Sequence, residues 1–225
     1  MFYNRLYLVF FLCLCCTKIF SQSYNFKNYS VEHGLTYIHI CDIFQDDKGY
    51  LWTGGYGGLS RFDGNKFVNY SPRNGLIHYS VQSITQGPAG NLIIGTIEGL
   101  SVFNGKRFTN YTRKDGLTNE HVNCLAVAGN KIAIGTDTGL YYLQNSKITA
   151  EPALQKETIK KIRSWQNNFT GITTKKLFSL NNGVYSVLFS FSDRSDTLMT
   201  CFELDKNNNL WLGTNKGLFK IEKQK

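Results

Sequence analysis

Residues 46–54, Asp46-Asp47-Lys48-Gly49-Tyr50-Leu51-Trp52-Thr53-Gly54, run on through Gly57-Gly58-Leu59-Ser60-Arg61-Phe62-Asp63-Gly64 to Phe67-Val68-Asn69-Tyr70. Strand-forming residues alternate here with Asp-Gly, Gly-Gly and Gly-Asn turns, which accept positive φ at little steric cost. The stretch reads as strands at 50–54, 59–62 and 67–70, preceded by a fourth at 40–45. Its landmarks return along the chain. Gly34-Leu35 recurs as Gly75-Leu76 and Gly116-Leu117, at intervals of 41 residues. Phe26, Asn28 and Tyr29 recur in step as Phe67, Asn69 and Tyr70, then as Phe108, Asn110 and Tyr111. Gly58-Leu59 returns as Gly99-Leu100, Gly139-Leu140 and Gly217-Leu218, with Lys176-Leu177 in the degenerate unit. Four antiparallel strands repeated every ~40 residues are the signature of a β-propeller.

Five units follow, with inner strands near residues 39, 80, 121, 158 and 198. The last unit has three strands, and residues 26–30 have the sequence of a fourth strand without a blade of its own. Two architectures fit. The termini pair to complete the fifth blade, which would cover the exposed edges, or the chain is a fragment of a larger ring.

Composition agrees with this fold class. Of 225 residues, 42% are hydrophobic and only 18% charged, which excludes a disordered tail. Three Pro against 21 Gly, with 13 Tyr and 16 Phe, favours short strands over a helical bundle.

Residues 1–22 read as a secretory signal: Arg5 precedes an apolar run of 11 residues, 6–16, and cleavage is expected near Ser21 or Gln22. The run falls short of the about 20 residues a membrane-spanning helix needs, and Lys18 interrupts it. The remaining propeller domain, 23–225, is expected to be periplasmic or secreted. No small residue before Cys13, Cys15 or Cys16 marks a lipid-attachment site, so a lipoprotein is disfavoured.

The formal charge is +9 for the whole chain and +7 without residues 1–22, of which residues 151–225 carry +5. For an exported protein such charge suits solubility or anionic glycans before nucleic acid. Cys41, Cys124 and Cys201 lack metal-ligand spacing, cannot all pair within one chain, and fall in apolar stretches that suit buried thiols. No cofactor or metal is expected.

The columns around Trp52 and Trp211, with Gly57-Gly58-Leu59 and Gly217-Leu218-Phe219, resemble the two-component regulator propeller repeat. The resemblance covers about residues 24–150 and 197–222; residues 151–196 depart from it. It implies an exported sensor module like the periplasmic halves of hybrid histidine kinases, recognising an oligosaccharide. The chain shows no phosphoacceptor helix or nucleotide-binding motif, so the signalling output is expected in another chain or a missing segment.

In a propeller, the loop leading into each inner strand shares a face with the second hairpin of the blade. That face holds the candidate ligand contacts Tyr37, His39, Tyr56, Arg73, His78, Tyr79, Arg113, Asn119, Glu120 and His121. His39 and His121 occupy one repeat column and are expected to point towards the axis. Imidazole, Arg and Tyr groups suit sugar hydroxyls and carboxylates, and tyrosine rings suit pyranose faces. Two other readings stand beside the sensor. A protein-interaction scaffold would need no small ligand, and an enzyme like streptogramin lyase would use His39 or His121 as general base near Glu120.

Overall fold

A computed structural model describes residues 25–221 apart from 166, 193, 207 and 208. The expected leader at 1–22 lies outside the described residues.

Each of the first four repeats is a four-stranded antiparallel meander. The first sheet holds β1 (Ile40–Gln45), β2 (Leu51–Gly55), β3 (Gly58–Phe62) and β4 (Phe67–Tyr70) in sequence order. The second holds β5 (Val81–Gln86), β6 (Leu92–Thr96), β7 (Gly99–Phe103) and β8 (Phe108–Tyr111). The third holds β9 (Val122–Ala128), β10 (Lys131–Thr136), β11 (Gly139–Gln144) and β12 (Lys147–Ala150). The fourth, the degenerate unit, is complete: β13 (Lys161–Trp165), β14 (Asn168–Ile172), β15 (Lys176–Asn181) and β16 (Val184–Ser190). The fifth has three strands, β17 (Met199–Leu204), β18 (Leu210–Thr214) and β19 (Gly217–Ile221).

The repeat landmarks have local causes. Val31–His33, Pro72–Asn74 and Arg113–Asp115 are single 3-10 turns, closed by Gly34, Gly75 and Gly116 at φ 98°, 101° and 101°. An L side chain is disfavoured there, so glycine holds the position, and the next residue, Leu35, Leu76 or Leu117, is delivered into the core. The recurring asparagine ties the outer strand back to this turn: Asn69 Nδ2 donates to the Gly34 carbonyl at 2.8 Å, and Asn110 Nδ2 to that of Gly75 at 3.0 Å.

Blades pack inner strand against inner strand, β1 on β5, β5 on β9, β9 on β13 and β13 on β17. A second glycine column makes room for this. A Cβ on Gly54 would strike Val81, one on Gly95 would lie 2.5 Å from Val122 Cγ1, and one on Gly135 2.7 Å from Ile159 Cγ2; each partner belongs to the next blade. Mixed cores result between neighbouring blades, with Trp52, Leu59, Val81, Ile84 and Ile94 between the first two. Trp52 also donates its indole N–H to Asp46 Oδ2 at 2.8 Å, and Trp211 repeats this with Asp205 at 3.0 Å.

Of the two expected architectures, the described residues form the open arc. Residues 25–30 carry no strand, and Tyr29 instead packs its ring against Phe62 and Phe67 of the first sheet, 4.9 and 5.9 Å between centroids. The expected pairing of residues 26–30 with the fifth sheet is not formed; the Tyr29 contacts are those that Tyr70, one repeat on, makes from within β4 to Phe103 and Phe108, at 5.1 and 5.9 Å. The sheets do not close into a ring. The consequence is visible at the second Gly-Leu landmark: Leu59, Leu100 and Leu140 are fully buried, whereas Leu218 is 67% exposed.

Candidate functional site

The short connections of the meander bring each leading loop beside the second hairpin of the same blade. In the first blade the His39 ring lies flat on Tyr56, 4.6 Å between centroids and 6° between planes. Tyr56 is exposed, as is Tyr37, whose Cβ packs so closely over Gly57 that no side chain would fit beneath it. In the second blade His78 Nδ1 accepts the Ser80 N–H at 2.9 Å, which leaves Nε2 to carry the proton towards Glu98, 3.8 Å away. Tyr79 meets the His78 ring edge-on, and Arg73 projects into solvent from its 3-10 turn.

The third blade carries the most ordered group. His121 Nδ1 lies 2.8 Å from Asp137 Oδ2, so it donates to the carboxylate and Nε2 is left as the acceptor. Asn123 Nδ2 donates to the other oxygen of Asp137 at 2.9 Å. The sequence reading paired His121 with Glu120. The structure instead sets Glu120 Oε1 on the Arg113 backbone N–H at 2.8 Å, and Asn119 Oδ1 accepts the His121 N–H at 3.2 Å. Glu120 is held by its own loop, while the hairpin, one repeat feature away, supplies the acid. An Asp-Thr pair opening the second hairpin after a histidine at the inner-strand start was the signal for it.

Among the described residues, the hydrogen bonds, ion pairs and ring contacts of the ten candidates stay within their own blades. The face is thus a row of blade-local stations: imidazole on phenol, imidazole with Glu98, and imidazole with Asp137. The fifth blade adds Lys216 and Asp196 at 2.7 Å in the equivalent place. No group of three or more His, Cys, Asp or Glu side chains suited to a metal ion occurs among the described residues.

A second concavity was not anticipated. The innermost strands β1, β5, β9 and β13 wall an axial groove of about 690 Å³. Asp42 sits in this wall; its Oδ2 accepts the Ile84 N–H of the next blade at 2.7 Å and its Oδ1 the Ile43 N–H at 2.9 Å. Burial raises its carboxyl above the ordinary value, and the two N–H donors oppose that rise without cancelling it. The Cys124 thiol, buried in the same wall, is pushed up to about 12 by burial. Cys41, Gln82 and Asn123, at the bulges of β1, β5 and β9, and Lys161, at the start of β13, line the groove.

Residues 193–216 match the family model described as two component regulator propeller, which bears out the resemblance in the fifth unit. The extracellular domain of the hybrid two component system BT3049 from B. thetaiotaomicron superposes with a TM-score of 0.73 at 23% identity, covering 88% of this chain and 30% of that one. That of BT4673 from the same organism gives 0.69 at 21%, covering 89% and 28%. PorZ, a surface component of the type-IX secretion system of Porphyromonas gingivalis, gives 0.64 at 18%, covering 89% and 34%. The chain therefore has the fold of these propellers and spans less than a third of the length of the first two. No curated protein matches the chain.

Proposed function

We propose that this chain is the ligand-binding part of an exported sensor propeller in a two-component signalling system. It recognises an oligosaccharide across the loop face, in the periplasm or outside the cell, and the kinase output is supplied elsewhere. The observation that carries this reading is the division of labour among repeat columns. Those that build blades hold the same residue from unit to unit, as with Gly54 and Gly95 or Leu59 and Leu100. The first loop-face column instead changes chemistry, from His39 through Ser80 to His121. A surface kept on a fixed frame but varied in its polar groups suits a ligand with several different hydroxyl environments, and exposed Tyr37, Tyr56 and Tyr79 offer rings for pyranose faces. The similarity of fold to extracellular domains of hybrid two component systems supports the sensor reading.

The test is thermal unfolding of the purified chain with a panel of neutral and anionic oligosaccharides. A ligand bound only by the folded state adds about 2.7 kcal/mol at one hundred times its Kd. One glycan class should raise the midpoint, and Tyr56→Ala and His121→Ala should each abolish the rise. A midpoint unmoved by every glycan refutes the oligosaccharide reading.

One observation favours a second reading. The His121–Asp137 pair has the geometry of a general base and its orienting carboxylate, so an elimination reaction like that of streptogramin lyase is the alternative. Turnover of a glycan by the chain, lost in Asp137→Asn, would establish it over simple binding.

A further inference from the structure

The axial groove holds polar groups that the fold itself leaves unused. Its acceptors and donors can be followed one by one. Both oxygens of Asp42 are taken by backbone N–H groups, and Ser83 adds a side-chain hydrogen bond. Asn123 spends its Nδ2 on Asp137 and on the Ile159 carbonyl, which fixes the amide orientation and turns Oδ1 into the spare atom. Gln82 spends Nε2 on Ser80 Oγ, leaving Oε1. Arg163 is neutralised by Glu203 at 2.6 Å. Lys161 is different: among the described residues its ammonium makes no hydrogen bond and no ion pair, although it is half-buried in the groove wall with Lys160 beside it. The Asp42 carboxylate offsets part of the cost of partly desolvating this ammonium but supplies no direct acceptor, and a bound anion would supply one.

The charges point the same way. Asp42 attracts Lys161 electrostatically across the groove, so with Arg163 paired the two ammonium groups of Lys160 and Lys161 outweigh this one carboxylate, and the groove keeps an excess of positive charge. The uncommitted neutral groups are the two amide oxygens, which accept from hydroxyls. We propose that the axial groove is a binding site for a carboxylate-bearing polyhydroxy acid. Lys161 meets the carboxylate, and Gln82 Oε1 and Asn123 Oδ1 accept ligand hydroxyls. The volume of about 690 Å³ accommodates a ligand of one or two sugar units. None of the ten loop-face residues takes part, so the site stands or falls independently of the oligosaccharide reading.

Isothermal titration calorimetry of the full chain at low ionic strength tests this with glucuronate and glucose, which differ in the carboxylate alone, and with acetate, which lacks hydroxyls. Glucuronate should bind at least tenfold more tightly than either. Lys161→Met should weaken it at least tenfold, Lys161→Arg by less than threefold, and Gln82→Leu severalfold. The exposed Lys147→Met should leave it unchanged. If Lys161→Met does not fold, Lys161→Gln serves in its place. Absence of glucuronate binding, equal binding of glucose or acetate, or undiminished binding by the folded Lys161 variant each overturns the proposal.

Discussion

Adding a single methyl group to each of two glycines in the same repeat column should have opposite consequences. In Gly95→Ala the new Cβ would lie 2.5 Å from Val122 Cγ1 and 3.0 Å from its Cβ. Val122 is fully buried at the start of β9 and β-branched, so it has no spare rotamer into which to withdraw. Overpacking of this kind costs about 1–3 kcal/mol, and the lower entropy of the unfolded alanine chain returns about 0.4–1 kcal/mol. The net loss is about 1–2 kcal/mol. For a chain of this size that is a drop in Tm of about 2–8 °C. In Gly213→Ala the nearest atom is Cys201 Sγ at 2.5 Å, the end of an exposed side chain of the same blade, and no residue of a following blade is near. Rotation of one thiol relieves the contact, and Tm should stay within about 1 °C or rise slightly. Urea and thermal unfolding of both variants provide the measurement, with Val122→Ala added to Gly95→Ala as the rescue. The double variant should recover about 1 kcal/mol relative to the sum of the single ones. Equal losses at Gly95 and Gly213, or no rescue, would mean that the column serves strand geometry rather than the close approach of the next blade.

The three thiols of the propeller should react with maleimide in the order Cys201, Cys41, Cys124, read by peptide mapping of the native protein. Cys201 is exposed, whereas Cys124 is buried with its pKa near 12 and should label only on unfolding. Early labelling of Cys124 would contradict the enclosed third blade. Trp52→Phe should cost about 2–3 kcal/mol, because it removes a charge-assisted hydrogen bond to Asp46 and packing against Phe103 of the next blade. Trp211→Phe, on a partly exposed indole, should cost less than half as much by urea titration. Asp42 should titrate above 3.8 in a carboxyl NMR experiment. Its raised pKa means that the native state keeps a proton the unfolded chain has released, so this group's contribution to stability falls as pH rises from the unfolded to the folded pKa and is then constant. A midpoint below 3.8 would show that the two N–H donors outweigh burial.

The frame was legible because its requirements are backbone requirements. Gly34, Gly75 and Gly116 sit at positive φ, Leu35 and its equivalents follow into the core, and Asn69 and Asn110 fasten the outer strand. Each is a need of one blade, so the period writes it into the sequence again and again. The strands of the first unit fell within a residue of their observed bounds for that reason. The fourth inner strand, expected near 158, begins at Lys161, because Ile159 there takes the packing role of Val81 and Val122 ahead of the strand. Closure was not legible, because the contact of Tyr29 with Phe62 and Phe67 repeats, 41 residues earlier, that of Tyr70 with Phe103 and Phe108, and so forms whether or not residues 26–30 pair with the fifth sheet.

The loop face was legible as a face but not as a set of partners. Periodicity placed His121 beside the second hairpin, yet the choice between Glu120 and Asp137 as its acid turned on a loop conformation in which the Arg113 N–H captures Glu120. The groove escaped for a related reason. In β1, β5, β9 and β17 a bulge at the start of the strand inserts one residue out of alternation, so a two-residue period cannot place the side chains of Cys41, Gln82, Asn123 and Thr200. Bulged positions carry no share of the blade-to-blade packing that fixes their neighbours Ile40, Val81, Val122 and Met199. Their side chains are accordingly free to differ, and thiol, amide, amide and hydroxyl have replaced one another there without disturbing the frame. Variation confined to the residues that packing does not use, on a scaffold whose packing residues repeat, is what lets one fold present a chemically distinct surface along its axis as well as on its loops.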